Sequence, residues 1–176
     1  MLMTIALVVI LVIAAVLVFA ATRPSQLRVE RTITIDASPE AVFPLINDFH
    51  NWSAWSPYER RDPTMKKAYR GSYSGKGAVY AWQGNRQVGE GRMEIADTLP
   101  PSRVTIALHF VKPFQGHNVA TFTLAAHGGT TNVTWAMDGP LAYPVKVLGL
   151  FLSMDNMIGK DFEAGLVNLK GIVEAH

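Results

Sequence analysis

The chain opens with an apolar run from Leu2 to Ala21 that only Thr4 interrupts. About 20 such residues, rising ~1.5 Å each, cross the ~30 Å hydrocarbon of a bilayer, so the run predicts a membrane-spanning helix over residues 1–22. No basic residue precedes it, and Val18-Phe19-Ala20-Ala21 offers a poor cleavage site, which favours a retained anchor over a cleaved signal peptide. Residues 23–26 read as a linker and 27–176 as one folded domain. Arg23, Arg28 and Arg31 all follow the span, which by the positive-inside tendency predicts a single-pass protein with its domain in the cytoplasm. Arg28 and Arg31 can equally be ordinary strand residues silent about topology, which leaves an extracytoplasmic domain as the alternative.

Beyond the run the period changes. Between Leu27 and Ile35, Val29, Ile33 and Ile35 alternate with Glu30, Thr32 and Thr34, the signature of a half-buried strand. Asp36-Ala37-Ser38-Pro39-Glu40 then supplies a capping residue and proline, the usual opening of a helix, with Ala41, Val42, Leu45 and Ile46 on its apolar face and an end near Asn47. The aromatic-rich passage from Phe49 to Tyr58 is too irregular for a long element. Strand-like runs follow near 66–70, 78–82, 87–96, 103–111, 118–126 and 131–138, cut by turn residues. Gly84-Asn85 is expected to supply the positive φ of a tight hairpin, Pro100-Pro101 to end a ladder, and Gly128-Gly129 to close the last hairpin. Val104, Ile106, Leu108 and Phe110 share one strand face; Ala120, Phe122 and Leu124, then Val133, Trp135 and Met137, do the same in the next two. Threonines and Asn132 take the opposite faces, so the sheet has one greasy side and one wet side. From Ala142 to Glu174 the period becomes helical, with Met154, Ile158, Phe162, Leu166, Leu169 and Val173 in one stripe and a break near 153–156. The predicted class is α+β: a curved antiparallel sheet covered by a long C-terminal helix, preceded by one transmembrane helix.

Composition narrows the chemistry. The 176 residues, 49% hydrophobic and 17% charged, provide one ordinary core. With no cysteine there is no disulfide framework, thiolate metal site or thiol nucleophile. The net charge of +2 is thinly spread and no basic cluster interleaves with aromatics, so nucleic acid is not an expected partner. The five histidines show no ligand spacing, so no metal site is predicted, and no cofactor is implied. Gly75-x-Gly77 and Gly89-x-Gly91 lie in or beside strands rather than opening a helix, which assigns them to sheet curvature and not to phosphate binding. Glu90, Arg92 and Glu94 share a strand face opposite Met93 and Ile95 and read as a solvated stripe, with Glu90 kept open because glycines flank it. Asp155, Lys160, Asp161 and Glu163 read as a charged outer helix face.

Four blocks carry a family resemblance: Ser38-Pro39-Glu40-Ala41-Val42-Phe43; Trp52-Ser53-Ala54-Trp55-Ser56-Pro57-Tyr58; Tyr80-x-Trp82-x-Gly84-Asn85 with Val88-Gly89-Glu90-Gly91-x-Met93; and Met154 through Glu163. With the order of elements, the stretch from Leu27 onward resembles the helix-grip fold of the START and Bet v 1-like superfamily (SRPBCC), and within it the polyketide cyclase/dehydrase-like bacterial proteins. The resemblance implies a cavity between sheet and final helix that takes a hydrophobic or amphipathic small molecule.

Trp55, Tyr58, Tyr80, Trp82, Phe110, Phe122 and Trp135 are expected to converge under the final helix, joined by Met93, Met154 and Phe162, where aromatic walls and adaptable methionines suit a flat or lipid-like ligand. A solidly filled core needs the same residues. Three functions follow in order: a membrane-anchored carrier or sensor of a hydrophobic molecule or lipid; a cyclase/dehydratase-type enzyme using Glu90 or Tyr80 for proton transfer; and an interaction domain with no ligand.

Overall fold

The computed structural model describes residues 1–175. Its elements are α1 (Leu2–Thr22), β1 (Gln26–Ile35), α2 (Pro39–Asn47), a 3-10 turn (Phe49–Asn51), α3 (Trp52–Trp55), α4 (Pro57–Arg61), β2 (Lys66–Gly71), β3 (Ala78–Gln83), β4 (Glu90–Leu99), β5 (Arg103–Lys112), β6 (Gly116–His127), β7 (Thr130–Pro140), α5 (Tyr143–Leu148) and α6 (Met154–Glu174). The seven strands form one antiparallel sheet in the order β1-β7-β6-β5-β4-β3-β2, so β1, first in the chain, closes against the last strand. This is the helix-grip arrangement: the greasy face curls around α6.

The alternation read from the sequence holds. Val29 and Ile35 of β1, Val104 and Ile106 of β5, Phe122 and Leu124 of β6, and Val133 and Trp135 of β7 are buried. Gly128 and Gly129 take φ of 57° and 96° and close the β6–β7 hairpin, where a side chain would be strained. The short α3 ties the helical connection together: the indole N–H groups of Trp52 and Trp55 donate to Ile46 O at 3.0 Å and Leu45 O at 2.9 Å. They satisfy carbonyls that the end of α2 leaves open. On α6, Phe162, Leu166 and Leu169 face the sheet, and Phe162 stacks on Trp135 with ring centroids 4.0 Å apart.

Three expectations are corrected. Neither Gly84 nor Asn85 has a positive φ; Gly89 does, at 66°, and residues 84–89 form a loop in which Gly84 N donates to Gly89 O. That loop displaces the strand, which runs Glu90–Leu99 rather than 87–96, with register shifts at Glu90/Gly91 and Ile95/Asp97. The helical charges are also not a uniform outer face. Asp155 and Glu163 both accept from Arg31 of β1, at 3.0 and 2.7 Å, and Asp161 pairs with Arg61 of α4.

α1 stands apart from this core. Its apolar side chains are exposed apart from Ala20, which is buried, and Val16, which is half-buried; it touches the domain through α5, where Tyr143 Oη donates to Leu17 O at 2.7 Å. Lys146 Nζ donates to Ser25 Oγ at 2.7 Å and to Arg23 O at 3.3 Å. α1 is long and apolar enough to cross a membrane.

Candidate functional site

The inner face of the sheet is not filled completely. β3 to β7 curve away from the N-terminal half of α6 and leave a cavity of about 410 Å³, within the size range of small-molecule sites. Tyr80 and Trp82 project from β3, Met93 from β4, Ile106, Leu108 and Phe110 from β5, Trp135 and Met137 from β7. Met154, Met157, Ile158 and Phe162 of α6 form the opposite wall. The period of two along each strand delivers these residues to one face. One glycine makes room for the largest of them. Gly91 sits opposite Trp82 across the β3–β4 ladder, and a Cβ there would lie 2.7 Å from both the indole ring and His109 O. Trp82 therefore spreads over bare backbone, its Nε1 donating to Val88 O at 3.1 Å.

A polar cluster interrupts the greasy wall where α4 meets it. The Glu59 side chain is only 7% exposed and lines the cavity. It accepts from Tyr80 Oη at 2.5 Å and pairs with Lys67 of β2. Beside it, Arg61 of α4 pairs with Asp161 of α6 at the same wall. Burial pushes the Tyr58 phenol well above the ordinary tyrosine range, and the nearby Asp161 charge adds to this. Tyr80 is raised as well, by burial first and then by its bond to Glu59. Both phenols stay protonated at neutral pH and act as hydrogen-bonding tips on an aromatic wall. Trp135 Nε1 is buried at the cavity wall with no hydrogen-bond partner among the described residues.

Of the ten sequence candidates, Tyr58, Tyr80, Trp82, Met93, Phe110, Trp135, Met154 and Phe162 line this space. Trp55 and Phe122 do not, which corrects their assignment. Both are fully buried where α3 packs down on the sheet, edge-on to one another with centroids 6.0 Å apart, and they fill core rather than face a void. Alternation identifies the inner face but cannot tell where along a strand the helix lifts away. Glu90 is also not a lining residue: it sits at a bulge with its carboxylate 2.9 Å from Lys112 Nζ. The acids that do reach the cavity, Glu59 and Asp161, escaped the sequence reading. A five-residue helix carries no period to orient Glu59, and Asp161 is adjacent to the recognised stripe residue Phe162. The β5–β6 register sets His109 opposite His117, with Nδ1 atoms 2.6 Å apart, a cross-strand pair that spacing along the chain does not reveal. Among the described residues no group of three or more His, Asp or Glu gathers as metal ligands.

Solved structures repeat this architecture. Protein CV1439 from Chromobacterium violaceum superposes with a TM-score of 0.59 at 16% identity, covering 86% of this chain and 99% of its own. Ara h 8.0201 matches with a TM-score of 0.58 at 12% identity, covering 86% and 99%. CalU16 from Micromonospora echinospora gives a TM-score of 0.55 at 16% identity, covering 84% and 82%. At such identities the likeness concerns fold alone. No curated protein matches the sequence. A family profile does: the one described as polyketide cyclase / dehydrase and lipid transport matches residues 26–174, from the first residue of β1 to the last of α6. That match spans the whole sheet, the cavity and its closing helix, and the chain belongs to the polyketide cyclase / dehydrase and lipid transport family.

Proposed function

We propose that this protein is a membrane-anchored binding protein for a hydrophobic or amphipathic small molecule, serving as a carrier or sensor beside the bilayer. One observation carries the reading: a largely apolar cavity of about 410 Å³ under α6, on a chain that also carries a helix able to span a membrane. An apolar cavity favours a ligand that leaves water, and a tether raises the effective concentration of a membrane-dissolved ligand at its mouth. The cluster of Glu59, Tyr80, Arg61 and Asp161 gives an amphipathic ligand a polar place to seat its head.

The second reading, a cyclase- or dehydratase-type enzyme, is favoured by a different observation. The buried Glu59–Tyr80 bond of 2.5 Å sets a proton acceptor and a phenol at the cavity wall, the geometry general acid–base chemistry requires. In that reading Glu59 takes the place first given to Glu90.

Native mass spectrometry of the full chain, released gently from detergent, separates these readings. The binding role predicts a reproducible extra mass that extracts into organic solvent and returns unchanged after incubation with the protein. An enzyme returns the extracted molecule altered, lighter by water for a dehydration. A bare protein that takes up nothing from a panel of lipids and aromatic compounds defeats both and favours an interaction domain.

A further inference from the structure

The cavity has a doorway, and its surroundings say what stands outside it. Phe114 of the β5–β6 loop and Met157 of α6 line the cavity yet are substantially exposed, so the interior reaches the surface at these residues. The same end of the domain carries further uncovered apolar side chains: Leu148, Leu152 and Phe151, the last 74% exposed. Exposed apolar side chains gathered within one short segment mark an interaction site.

The contacts of α1 identify the occupant. Tyr143, the first residue of α5, donates to the carbonyl of Leu17, which lies five residues before the end of α1. Five helical residues correspond to about 8 Å, so α5 starts level with the final turns of the span rather than beyond it. Three residues on, Lys146 reaches Arg23 and Ser25, just past the end of α1. Tyrosine beside the last turns of a span and lysine just outside it is the arrangement side chains adopt at the boundary between hydrocarbon and headgroups. The exposed segment from Leu148 to Leu152 leads directly from α5 to α6 and the doorway.

We infer that α5, the Leu148–Leu152 segment and the β5–β6 loop dip into the interface of the bilayer that α1 spans, so that the cavity opens onto lipid and its ligand enters without crossing water. This rests on reading α1 as a membrane span, and the test keeps the two apart. Because the chain lacks cysteine, single thiols can be introduced without background. Leu11→Cys, Leu148→Cys, Phe151→Cys and Ser74→Cys are made in the full chain, labelled with an environment-sensitive fluorophore, and reconstituted in phosphatidylcholine vesicles containing phosphatidylglycerol and spin-labelled quencher lipid. Ser74 lies in the β2–β3 connection, at the end of the sheet away from the doorway. The expected result is quenching and a blue shift at positions 11, 148 and 151, with position 74 remaining aqueous. Quenching at 11 with 148 and 151 as aqueous as 74 overturns the docking while leaving the anchor intact. No quenching at 11 overturns the anchor and the docking with it. As a functional readout, Phe151→Asp is expected to slow entry of a fluorescent fatty-acyl probe from vesicles by roughly tenfold while leaving its entry from micelles unchanged. Equal entry from vesicles in both proteins also overturns the inference.

Discussion

Asp62 is 5% exposed, and its carboxylate accepts from Thr64 Oγ1 and Asn85 N, both at 2.7 Å, and from Thr64 N at 3.1 Å. It thereby ties the end of α4 to the 84–89 loop, whose Arg86, Gln87 and Val88 border the cavity. The Thr64 hydroxyl, then the Asn85 amide, hold its pKa below the usual carboxylate range. A depressed folded value has one sign: its stabilisation is complete above the unfolded pKa of about 3.9 and disappears as the pH falls through the folded value. Asp62→Asn should lower stability at pH 7, and the two proteins should converge once Asp62 itself is protonated. Urea unfolding of the full chain in detergent, followed from pH 7 down through the acid range, checks this; a difference that stays constant throughout contradicts it. Neither Asp62 nor Glu59 announced itself in the sequence. Both belong to turns and short helices whose side chains are aimed by three-dimensional contacts, with no repeat from which their direction can be read. The aromatic wall, in contrast, was legible because a strand commits each residue to a face.

α6 carries two buried glycines, and the same substitution at each should give different outcomes. A Cβ on Gly165 would lie 2.9 Å from Trp135 Cζ3 and 3.1 Å from Pro57 Cδ, two rigid groups packed on opposite elements. Neither can swing aside, so Gly165→Ala should push the helix off the sheet and cost about 1–3 kcal/mol. A Cβ on Gly159 would lie 2.0 Å from a guanidinium nitrogen of Arg31, the far end of a flexible side chain. Moving it weakens the ion pairs with Asp155 and Glu163, whose half-exposed carboxylates make them small contributors to stability. Replacing a helical glycine returns about 1 kcal/mol. The terms offset, so Gly159→Ala should unfold within about 1 kcal/mol of the parent, and equal losses at both positions would refute the account. Element identities came from periodicity and held wherever the period was long: β5, β6, β7 and α6 all lie within a few residues of their expected limits. The approach to β4 failed because Gln87 and Val88 continue an alternating pattern, although Asn85 Oδ1 accepts from Gln87 N at 2.8 Å and holds the chain in a loop. Such a local side-chain bond competes with the ladder and leaves no trace in hydrophobicity.

At the scale of the whole molecule, the proposed anchoring makes the side of the membrane a testable property. Of the three arginines that follow the span, Arg28 is engaged by Glu30 and Asp138, and Arg31 by Asp155 and Glu163, so both are neutralised within the fold. Arg23 remains, and the packing of α5 on α1 brings Lys146 to the same level. Two cations thus sit at the domain end of α1. Basic residues close to a span resist translocation, so the domain is expected on the cytoplasmic side. Green fluorescent protein and alkaline phosphatase, each fused after α6 and expressed in a bacterial host, report the two sides in opposite ways. A fluorescent first fusion and an inactive second one are expected. Removing the charges by Arg23→Ser and Lys146→Ser, with lysines added ahead of Leu2, should reverse both readouts. If the unaltered chain already shows phosphatase activity, these two cations do not set the topology and the cavity draws its ligand from the outer leaflet.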